Sequence, residues 1–272
     1  MSDFIRRTLE VLSGLLHPWI FMSKSAYDFP GTVASLIRGR EYRTLMSPRK
    51  LRDAWFGRFW GWVGPNVKLM CEGVVIPLLE GRTSGGKVVD EATGPGIGGT
   101  VLEIGAGSGY WVDIFSNRHL HQVPGEGEGR SKTGTGEAAP NKSRRQKVTR
   151  VYGVEPNRDQ HASIQRHVEK AGLEDIYQIV PVGIEDLDNP KKWDGRIEKG
   201  SVDCIVSILC LCSIPEPEKN IRELYGYLKE GGRWYVYEHV KCDHSWYMKG
   251  YQSKRSRAHA NPFQKRWLIR DQ

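Results

Sequence analysis

Residues 101–109, which read Val-Leu-Glu-Ile-Gly-Ala-Gly-Ser-Gly, constrain the fold of this chain more than any other stretch. Three apolar residues around one acid predict a short buried strand, and the alternating glycines that follow predict a tight turn. Glycine tolerates positive φ and lets a ligand approach the backbone closely. The spacing of Trp111, Ile114 and Phe115 predicts a helix over residues 110–115. A strand, a glycine turn and a helix N-terminus together form a cradle for a nucleotide-like ligand.

The glycine spacing differs from that of the dinucleotide fingerprint, in which two residues precede the third glycine. Here the glycines alternate, at Gly105, Gly107 and Gly109. Three upstream glycines do match the fingerprint by letter, namely Gly94, Gly96 and Gly99. They lack the preceding strand that the motif requires, so we interpret residues 92–99 as a loop. Together with the absence of a convincing Tyr-x-x-x-Lys or His/Asp pair, this disfavours an NAD-dependent oxidoreductase.

The pattern Glu-x-Gly-x-Gly-x-Gly beginning at Glu103 resembles motif I of the class I S-adenosylmethionine-dependent methyltransferases. The resemblance implies that the Glu103 carboxylate lies near the ammonium group of the cofactor. It also implies a loop that passes under the ribose and the methionine portion, formed by Gly105, Ala106, Gly107 and Gly109. The alternative interpretation is a glycine turn such as any α/β protein contains.

A second buried strand is predicted over residues 150–156, and it ends in an acid, Glu155. In a doubly wound sheet, an acid at the end of the second strand accepts hydrogen bonds from both ribose hydroxyls. Glu155 and the adjoining Pro156 are therefore candidate cofactor-binding residues. The alternative is an acid at a helix start, because Pro156 suits a first helical position. Residues 157–171 then predict a helix that stops at Gly172.

A third strand is predicted over residues 176–182. The turn after it, residues 183–187, resembles the loop that meets the adenine edge in the same family. This resemblance implies cofactor contacts from Gly183, Ile184 and Glu185, with Asp186 as an alternative acid. A turn acid that is simply solvated explains the same residues equally well.

A long apolar run over residues 201–214 predicts a central parallel strand that is covered on both faces. It resembles motif IV, which implies that Leu209 and Cys210 lie at its cofactor end. A helix is predicted over residues 216–230, stopped by Gly231 and Gly232, and a fifth strand over 233–240. The fold class is therefore α/β, with a doubly wound, mostly parallel, Rossmann-like sheet.

The segment 200–240 resembles the type 11 methyltransferases, and within them the thiol methyltransferase branch related to methyltransferase-like protein seven. Four short sequence motifs carry this resemblance: Gly-Ser-Val-Asp at 200–203, Leu-Cys-Ser at 211–213, Leu-Lys-Glu-Gly-Gly at 228–232 and Glu-His-Val at 238–240. It implies S-adenosyl-L-methionine as cofactor and a small, apolar methyl acceptor, with a thiol as one candidate. His239 is the candidate catalytic base, although a structural histidine in the sheet fits the sequence equally well.

Composition divides the chain into three parts: an N-terminal helical region (1–85), the cofactor-binding domain (86–240) and an atypical basic tail (241–272). Residues 121–147 interrupt the domain and contain almost no large apolar side chain, so they predict a disordered insertion. The tail does not resemble the last helix and the final antiparallel strands of the family. We therefore expect an incomplete or atypical C-terminal end, which places the activity of this chain in question.

The N-terminal region mixes aromatic and basic side chains, a composition that suits a membrane interface or a helix packed over a substrate pocket. Its apolar run, residues 11–22, is shorter than the roughly 20 apolar residues that a spanning helix needs. Arg6 and Arg7 precede this run, but no clear cleavage site of a signal peptide follows. The formal net charge of +8 attracts acidic lipid headgroups or nonspecific polyanions, and no motif for sequence-specific nucleic-acid binding is present.

The five cysteines have no framework spacing, which indicates reduced thiols in a cytoplasmic protein, with peripheral attachment to an intracellular membrane as an option. We expect no metal shared by Cys210 and Cys212, because a tetrahedral site needs several convergent ligands. A rival hypothesis is a catalytically impaired methyltransferase fold that serves as a membrane-associated or partner-binding module. The atypical tail favours this rival, whereas the intact glycine loop and Glu155 disfavour it.

Overall fold

The computed structural model describes residues 3–116 and 147–239. The predicted 241–272 tail and almost all of the predicted 121–147 insertion lie outside these residues. The described residues form two compact units, one up to Gly64 and one over Pro65–His239. The boundary between the two units falls inside the helix Pro48–Leu79. It precedes residue 86, where composition predicts the start of the cofactor-binding domain, and that domain start stays a prediction.

The second unit is built on a five-stranded sheet in which every neighbouring pair of strands is parallel. Its strands are β3 (Gly99–Ile104), β4 (Val148–Val154), β5 (Tyr177–Val180), β6 (Val202–Ile208) and β7 (Leu228–Tyr237). Their order is β5-β4-β3-β6-β7. A separate antiparallel hairpin consists of β1 (Thr83–Ser84) and β2 (Lys87–Val88). The prediction of a doubly wound parallel sheet is confirmed.

The central strands β3 and β6 are buried along nearly their whole length, which explains why their sequences are almost continuously apolar. Val101, Leu102, Ile205 and Val206 have no exposed surface. Two helices follow strands of this sheet, α4 (His161–Ala171) and α5 (Pro217–Tyr225). Each helix buries its apolar residues, namely Ile164 and Val168 in α4 and Leu224 in α5.

The strand order reverses between β3 and β6, since the chain proceeds from β3 outward to β5 and then returns to the other side of β3. In sheets of this kind, ligands bind in the crevice outside the carboxyl ends of the strands at such a reversal. The loops after β3 and β6 therefore form the expected ligand site. They contain the glycine turn and the segment around Cys210.

The first unit is helical, as predicted for the N-terminus. It contains α1 (Asp3–Arg38), α2 (Tyr42–Leu45) and the beginning of α3 (Pro48–Leu79). Trp55 Nε1 donates a hydrogen bond to the Ser25 carbonyl at 2.8 Å. Arg58 pairs with Asp28 at 3.2 Å, so α1 and α3 are joined by polar contacts as well as by aromatic packing. Within the described part of the chain, every helix falls short of the length or the apolar character required to cross a membrane.

Two predicted helices differ from the structure. Residues 110–115 form a turn followed by a short 3-10 helix (Val112–Phe115) rather than an α-helix. The helix predicted over 216–230 already ends at Tyr225, and Gly231 and Gly232 lie within β7. The reason is long-range pairing: Leu228 pairs with Val202 of β6, and the pairing register then shifts before Arg233, next to Gly231 with φ of +74°.

Candidate cofactor site

The three alternating glycines after β3 all have positive φ, but their surroundings differ. A Cβ built on Gly105 would lie 2.5 Å from Cys210 Cβ, and one on Gly109 would lie 2.9 Å from Ile164 Cα in α4. A Cβ on Gly107 would meet only the Gly105 carbonyl oxygen, at 3.8 Å. Gly105 and Gly109 therefore allow close packing within the protein, whereas Gly107 leaves its outer side open to an approaching ligand.

The turn is tied to the end of β4 by backbone and side-chain hydrogen bonds. The N–H groups of Gly105 and Ala106 both donate to the Val154 carbonyl, at 3.0 and 3.1 Å. The Gly107 N–H donates to one Glu155 carboxylate oxygen at 2.8 Å, and the Asn157 N–H donates to the other at 2.8 Å. The two predicted cofactor-binding loops thus meet at Glu155. Because each carboxylate oxygen has a further lone pair, Glu155 keeps acceptor capacity for ligand hydroxyls.

Burial of the Glu155 carboxyl raises its pKa above the usual value, and the N–H donors of Asn157 and Gly107 oppose this effect. Hydrogen bonds to the charged form favour ionisation and hold the carboxylate in one orientation. Pro156, the next residue, is exposed and precedes the 3-10 helix Arg158–Gln160. The alternative interpretation, that Glu155 is a helix-start acid, is therefore compatible with its Asn157 contact but does not explain its contact with Gly107.

Two residues that sequence reasoning missed hold the glycine turn, Gln160 at the end of the 3-10 helix and Ser163 in α4. The Ser108 hydroxyl donates to Gln160 Oε1 at 2.6 Å, and the Ser163 hydroxyl donates to the Ser108 carbonyl at 2.9 Å. His161 Nε2 lies 2.8 Å from the Glu155 carbonyl oxygen. The available signal was the cluster of short polar side chains at the predicted helix start, which commonly satisfy loop backbone groups.

Glu103 lies inside β3 and is buried, with only 4% of its surface exposed. Its carboxyl group accepts a hydrogen bond from the Tyr177 hydroxyl at 2.6 Å. The tyrosine reaches Glu103 across Gly153, where a Cβ would lie 2.0 Å from the hydroxyl oxygen. A direct contact between Glu103 and the cofactor stays a prediction. Burial raises the pKa of Glu103 to about 7, while the Tyr177 hydroxyl opposes the shift.

The raised pKa of Glu103 predicts a stability that depends on pH. The folded protein holds this proton up to about pH 7, whereas the unfolded chain loses it near 4.5. The contribution of this group to the free energy of unfolding therefore falls by about 3 kcal/mol as pH rises between these two pKa values, and then levels off. We expect Glu103→Gln to lose most of this dependence, because glutamine does not ionise. Urea unfolding at pH 5 and pH 8 measures it.

The control for this prediction is Glu169→Gln, an exposed acid on α4. It should retain the wild-type difference between the two pH values. Equal differences in the wild type and in Glu103→Gln would contradict the assignment of a protonated Glu103.

The predicted adenine-side loop is a 3-10 turn, Ile184–Asp186. Ile184 is buried, whereas Glu185 is exposed and its carboxylate folds back over Gly183. Asp186 accepts a hydrogen bond from Asn189 at 3.2 Å, so it serves its own loop. These residues lie after β5, and their contacts with a cofactor stay predictions.

The end of β6 corrects the prediction of one long strand. β6 stops at Ile208, Leu209 has φ of +52°, and Cys210 and Cys212 belong to a turn that contains the 3-10 helix Leu211–Ser213. The strand therefore contains Cys204 alone, and the prediction that Cys204, Cys210 and Cys212 share one buried strand was wrong. Burial raises the pKa of Cys210 well above its ordinary value. The described cysteines are all free thiols, and the described residues contain no group that could hold a metal ion.

Glu238, which the sequence analysis did not consider as a site residue, binds this turn from the end of β7. One carboxylate oxygen accepts hydrogen bonds from the N–H groups of Cys210 and Leu211, at 3.0 and 3.1 Å. His239, the predicted base, follows directly and is exposed. Its catalytic role stays a prediction. The signal for Glu238 was its position: like Glu155, it is an acid directly after a parallel strand of the sheet.

These residues fit a cationic sulfur nucleoside. Gly107 offers an approachable backbone, Glu155 offers carboxylate oxygens to sugar hydroxyls, and three loops at the carboxyl edge supply the walls. The carboxylates of Glu155 and Glu238 suit a positively charged ligand. The arrangement can bind and orient such a ligand.

Comparisons with known proteins identify relatives of this chain. A family model described as a methyltransferase domain matches residues 85–270. The match thus includes the sheet, its loops and most of the segment in which we expected an atypical end. A phosphatidylethanolamine N-methyltransferase of Cereibacter sphaeroides is 26% identical over 146 residues, which are 54% of this chain and 53% of that protein. The chain spans about half the length of the curated relative it matches.

Two solved structures are similar over about half of this chain. One is an S-adenosylmethionine-dependent methyltransferase of Aquifex aeolicus, at 18% identity and a TM-score of 0.31 over 48% of this chain and 50% of that one. The other is an arsenic(III) S-adenosylmethionine methyltransferase of Chlamydomonas reinhardtii, at 19% identity and a TM-score of 0.33 over 49% and 36% of the respective chains.

Proposed function

The chain belongs to the family of methyltransferase domains, and from this premise we propose that it transfers a methyl group from S-adenosyl-L-methionine to a small acceptor. The observation that carries the proposal is the hydrogen bond of 2.8 Å between the Gly107 N–H and the Glu155 carboxylate. It joins the loops after two adjacent parallel strands at the edge where ligands of such sheets bind. The family match does not favour the rival of an impaired, purely binding protein.

The residues of the site have separate tasks in this proposal. The Glu155 carboxylate accepts hydrogen bonds from the ribose hydroxyls, and the open side of Gly107 lets the nucleoside approach the backbone. The loop at Ile184 and Glu185 borders the adenine, and the Leu209–Cys210 turn borders the reacting end. The bound cofactor supplies a methyl group made electrophilic by its sulfonium. The protein supplies orientation and excludes water, which lowers the barrier by several kcal/mol.

The acceptor is proposed to be small and apolar, with a thiol as the first candidate. A thiol forms its thiolate near neutral pH and needs little help from a base, which agrees with the exposed position of His239. An amine is the second candidate, because the relative from Cereibacter sphaeroides is named for methylation of phosphatidylethanolamine.

Calorimetry with S-adenosylmethionine and a labelled-methyl assay test these proposals together. We expect binding in the micromolar range and transfer to at least one member of a panel of alkyl thiols, phenols, amines and phosphatidylethanolamine vesicles. Failure to bind the cofactor would refute the proposed function. Binding with transfer only to phosphatidylethanolamine would replace the thiol with the amine as acceptor.

A membrane surface is the proposed partner of the N-terminal unit. Helix α1 exposes four apolar side chains at spacings of four, seven and eight residues, which place them on one helical face: Leu12, Leu16, Trp19 and Ile20. Such a face, combined with a net charge of +8, suits shallow insertion at an anionic lipid surface. This proposal agrees with a cytoplasmic protein attached peripherally to an intracellular membrane. Flotation with anionic vesicles tests it, and Leu16→Glu with Ile20→Glu should abolish co-flotation.

A further inference from the structure

Glu238 is the residue through which the end of β7 holds the turn after β6. Its Oε1 atom accepts both N–H groups of the turn, and the Cys210 thiol lies 3.6 Å from the same oxygen. The Leu209 N–H adds a bond of 2.8 Å to the Tyr237 carbonyl. One carboxylate and one carbonyl of adjoining residues thus satisfy three consecutive backbone donors.

The turn that Glu238 holds has a conformation that needs support. Leu209 has φ of +52°, a value that a residue with a branched side chain rarely adopts and that costs free energy. A strained segment keeps its conformation only where surrounding contacts determine it. The Glu238 and Tyr237 acceptors provide these contacts on the side of β7.

The opposite side of the same turn contacts the glycine loop. Cys210 is only 7% exposed, and its Cβ occupies the space that a side chain at position 105 would need. The contacts therefore run without interruption from Glu238 through Cys210 to Gly105. The gap between the loops after β3 and β6, where the strand order reverses, depends on where Cys210 lies.

We propose that Glu238 is a positioning residue that holds Cys210 against Gly105 and thereby sets the shape of the cofactor crevice. The expected effect of Glu238 on cofactor binding rests on the proposed function. Its expected effect on the position of Cys210 does not. A carboxylate suits this task because a charged acceptor makes stronger hydrogen bonds than a neutral one and serves several donors at once.

The first test measures the protection of Cys210 and needs no cofactor. Brief alkylation of the native protein, followed by mass spectrometry that resolves each cysteine, should label the exposed Cys212 and spare Cys210. In Glu238→Ala we expect labelling of Cys210 to rise at least about tenfold, because loss of hydrogen bonds to a charged acceptor releases the turn. Glu238→Gln keeps an acceptor oxygen without the charge, so it should restore most of the protection.

The matched control is Glu230→Ala, which removes an exposed acid from the same strand. It should leave the labelling of Cys210 at the wild-type level. Unchanged protection in Glu238→Ala would overturn the proposal. If that variant does not fold, Glu238→Asp decides the question: its shorter side chain cannot reach both N–H groups, so unchanged protection there would equally overturn it.

The second test measures cofactor affinity by calorimetry with S-adenosylhomocysteine. Glu238→Ala should bind at least about tenfold more weakly than the wild type, whereas Glu238→Gln should lie close to the wild type. A merely structural loss would lower the melting temperature of both variants without this selective rescue. If the wild type does not bind, the proposed function fails while the alkylation result still decides the role of Glu238. If it binds and Glu238→Ala binds equally well, the positioning role fails alone.

Discussion

Replacement of Gly105 by valine is expected to weaken the binding of S-adenosylmethionine at least about 100-fold, measured by calorimetry. Gly105 has φ of +68°, where a side chain costs about 1–2 kcal/mol. A Cβ at this position would also lie 2.5 Å from Cys210 Cβ, and such overlap costs about 1–3 kcal/mol more. Because the Cys210 N–H is bonded to Glu238 on the side away from Gly105, the overlap must be relieved by movement of the glycine loop.

The matched control is Gly172→Val, which isolates the backbone contribution. Gly172 ends α4 with φ of +66°, and a Cβ there would meet no atom within 4 Å. Gly172→Val should lower stability by about 1–2 kcal/mol and leave cofactor affinity unchanged. In the Gly105→Val background, Cys210→Gly should recover part of the affinity, because it removes the opposing Cβ. Wild-type binding by Gly105→Val would show that the crevice between these loops does not hold the cofactor.

Replacement of Glu155 by alanine is expected to produce a loss of similar size. The change removes the carboxylate that fixes the Gly107 N–H and that is proposed to accept the ribose hydroxyls. Each hydrogen bond to a charged group is worth about 1.5–3 kcal/mol, so the loss of two predicts at least about a 100-fold weaker affinity. Calorimetry with S-adenosylhomocysteine measures the effect without turnover.

Two further variants serve as a control and as a test of the acceptor role of Glu155. Asp159→Ala removes an exposed acid nearby and should bind the cofactor like the wild type. Glu155→Gln keeps the shape of the side chain but turns one acceptor into a donor, which opposes either the Gly107 or the Asn157 N–H. It should therefore lose affinity as well. An unchanged affinity in both Glu155 variants would place the sugar elsewhere.

The sequence predicted those parts of the fold that depend on local pattern. The apolar residues of β3 and β6, the alternating glycines and the stop at Gly172 each act through neighbouring residues, so they are readable without the fold. Glu155 was also predicted as a site residue, because an acid after a buried parallel strand emerges at the ligand edge, and the structure places it against the Gly107 N–H.

Most of what the sequence predicted wrongly or left undecided arises where distant segments meet. The register of β7 on β6 placed Gly231 inside a strand instead of at a helix end. The missing side chain at Gly153 allowed Tyr177 to reach Glu103 and bury its carboxyl group. A contact with Glu238 fixed Cys210 in a turn instead of a strand. The pairing register of β7 and the contact of Tyr177 across Gly153 have no signal within a short window of sequence.

The sequence by itself thus determined the order of the strands along the chain, the glycine turn and the acid that faces it, because propensity and periodicity act over a few residues. Only the tertiary structure decided which acids are buried, which loops are in contact and which residue positions Cys210. These outcomes depend on pairing register and on packing between segments far apart in the chain, such as Gly105 with Cys210 and Cys210 with Glu238.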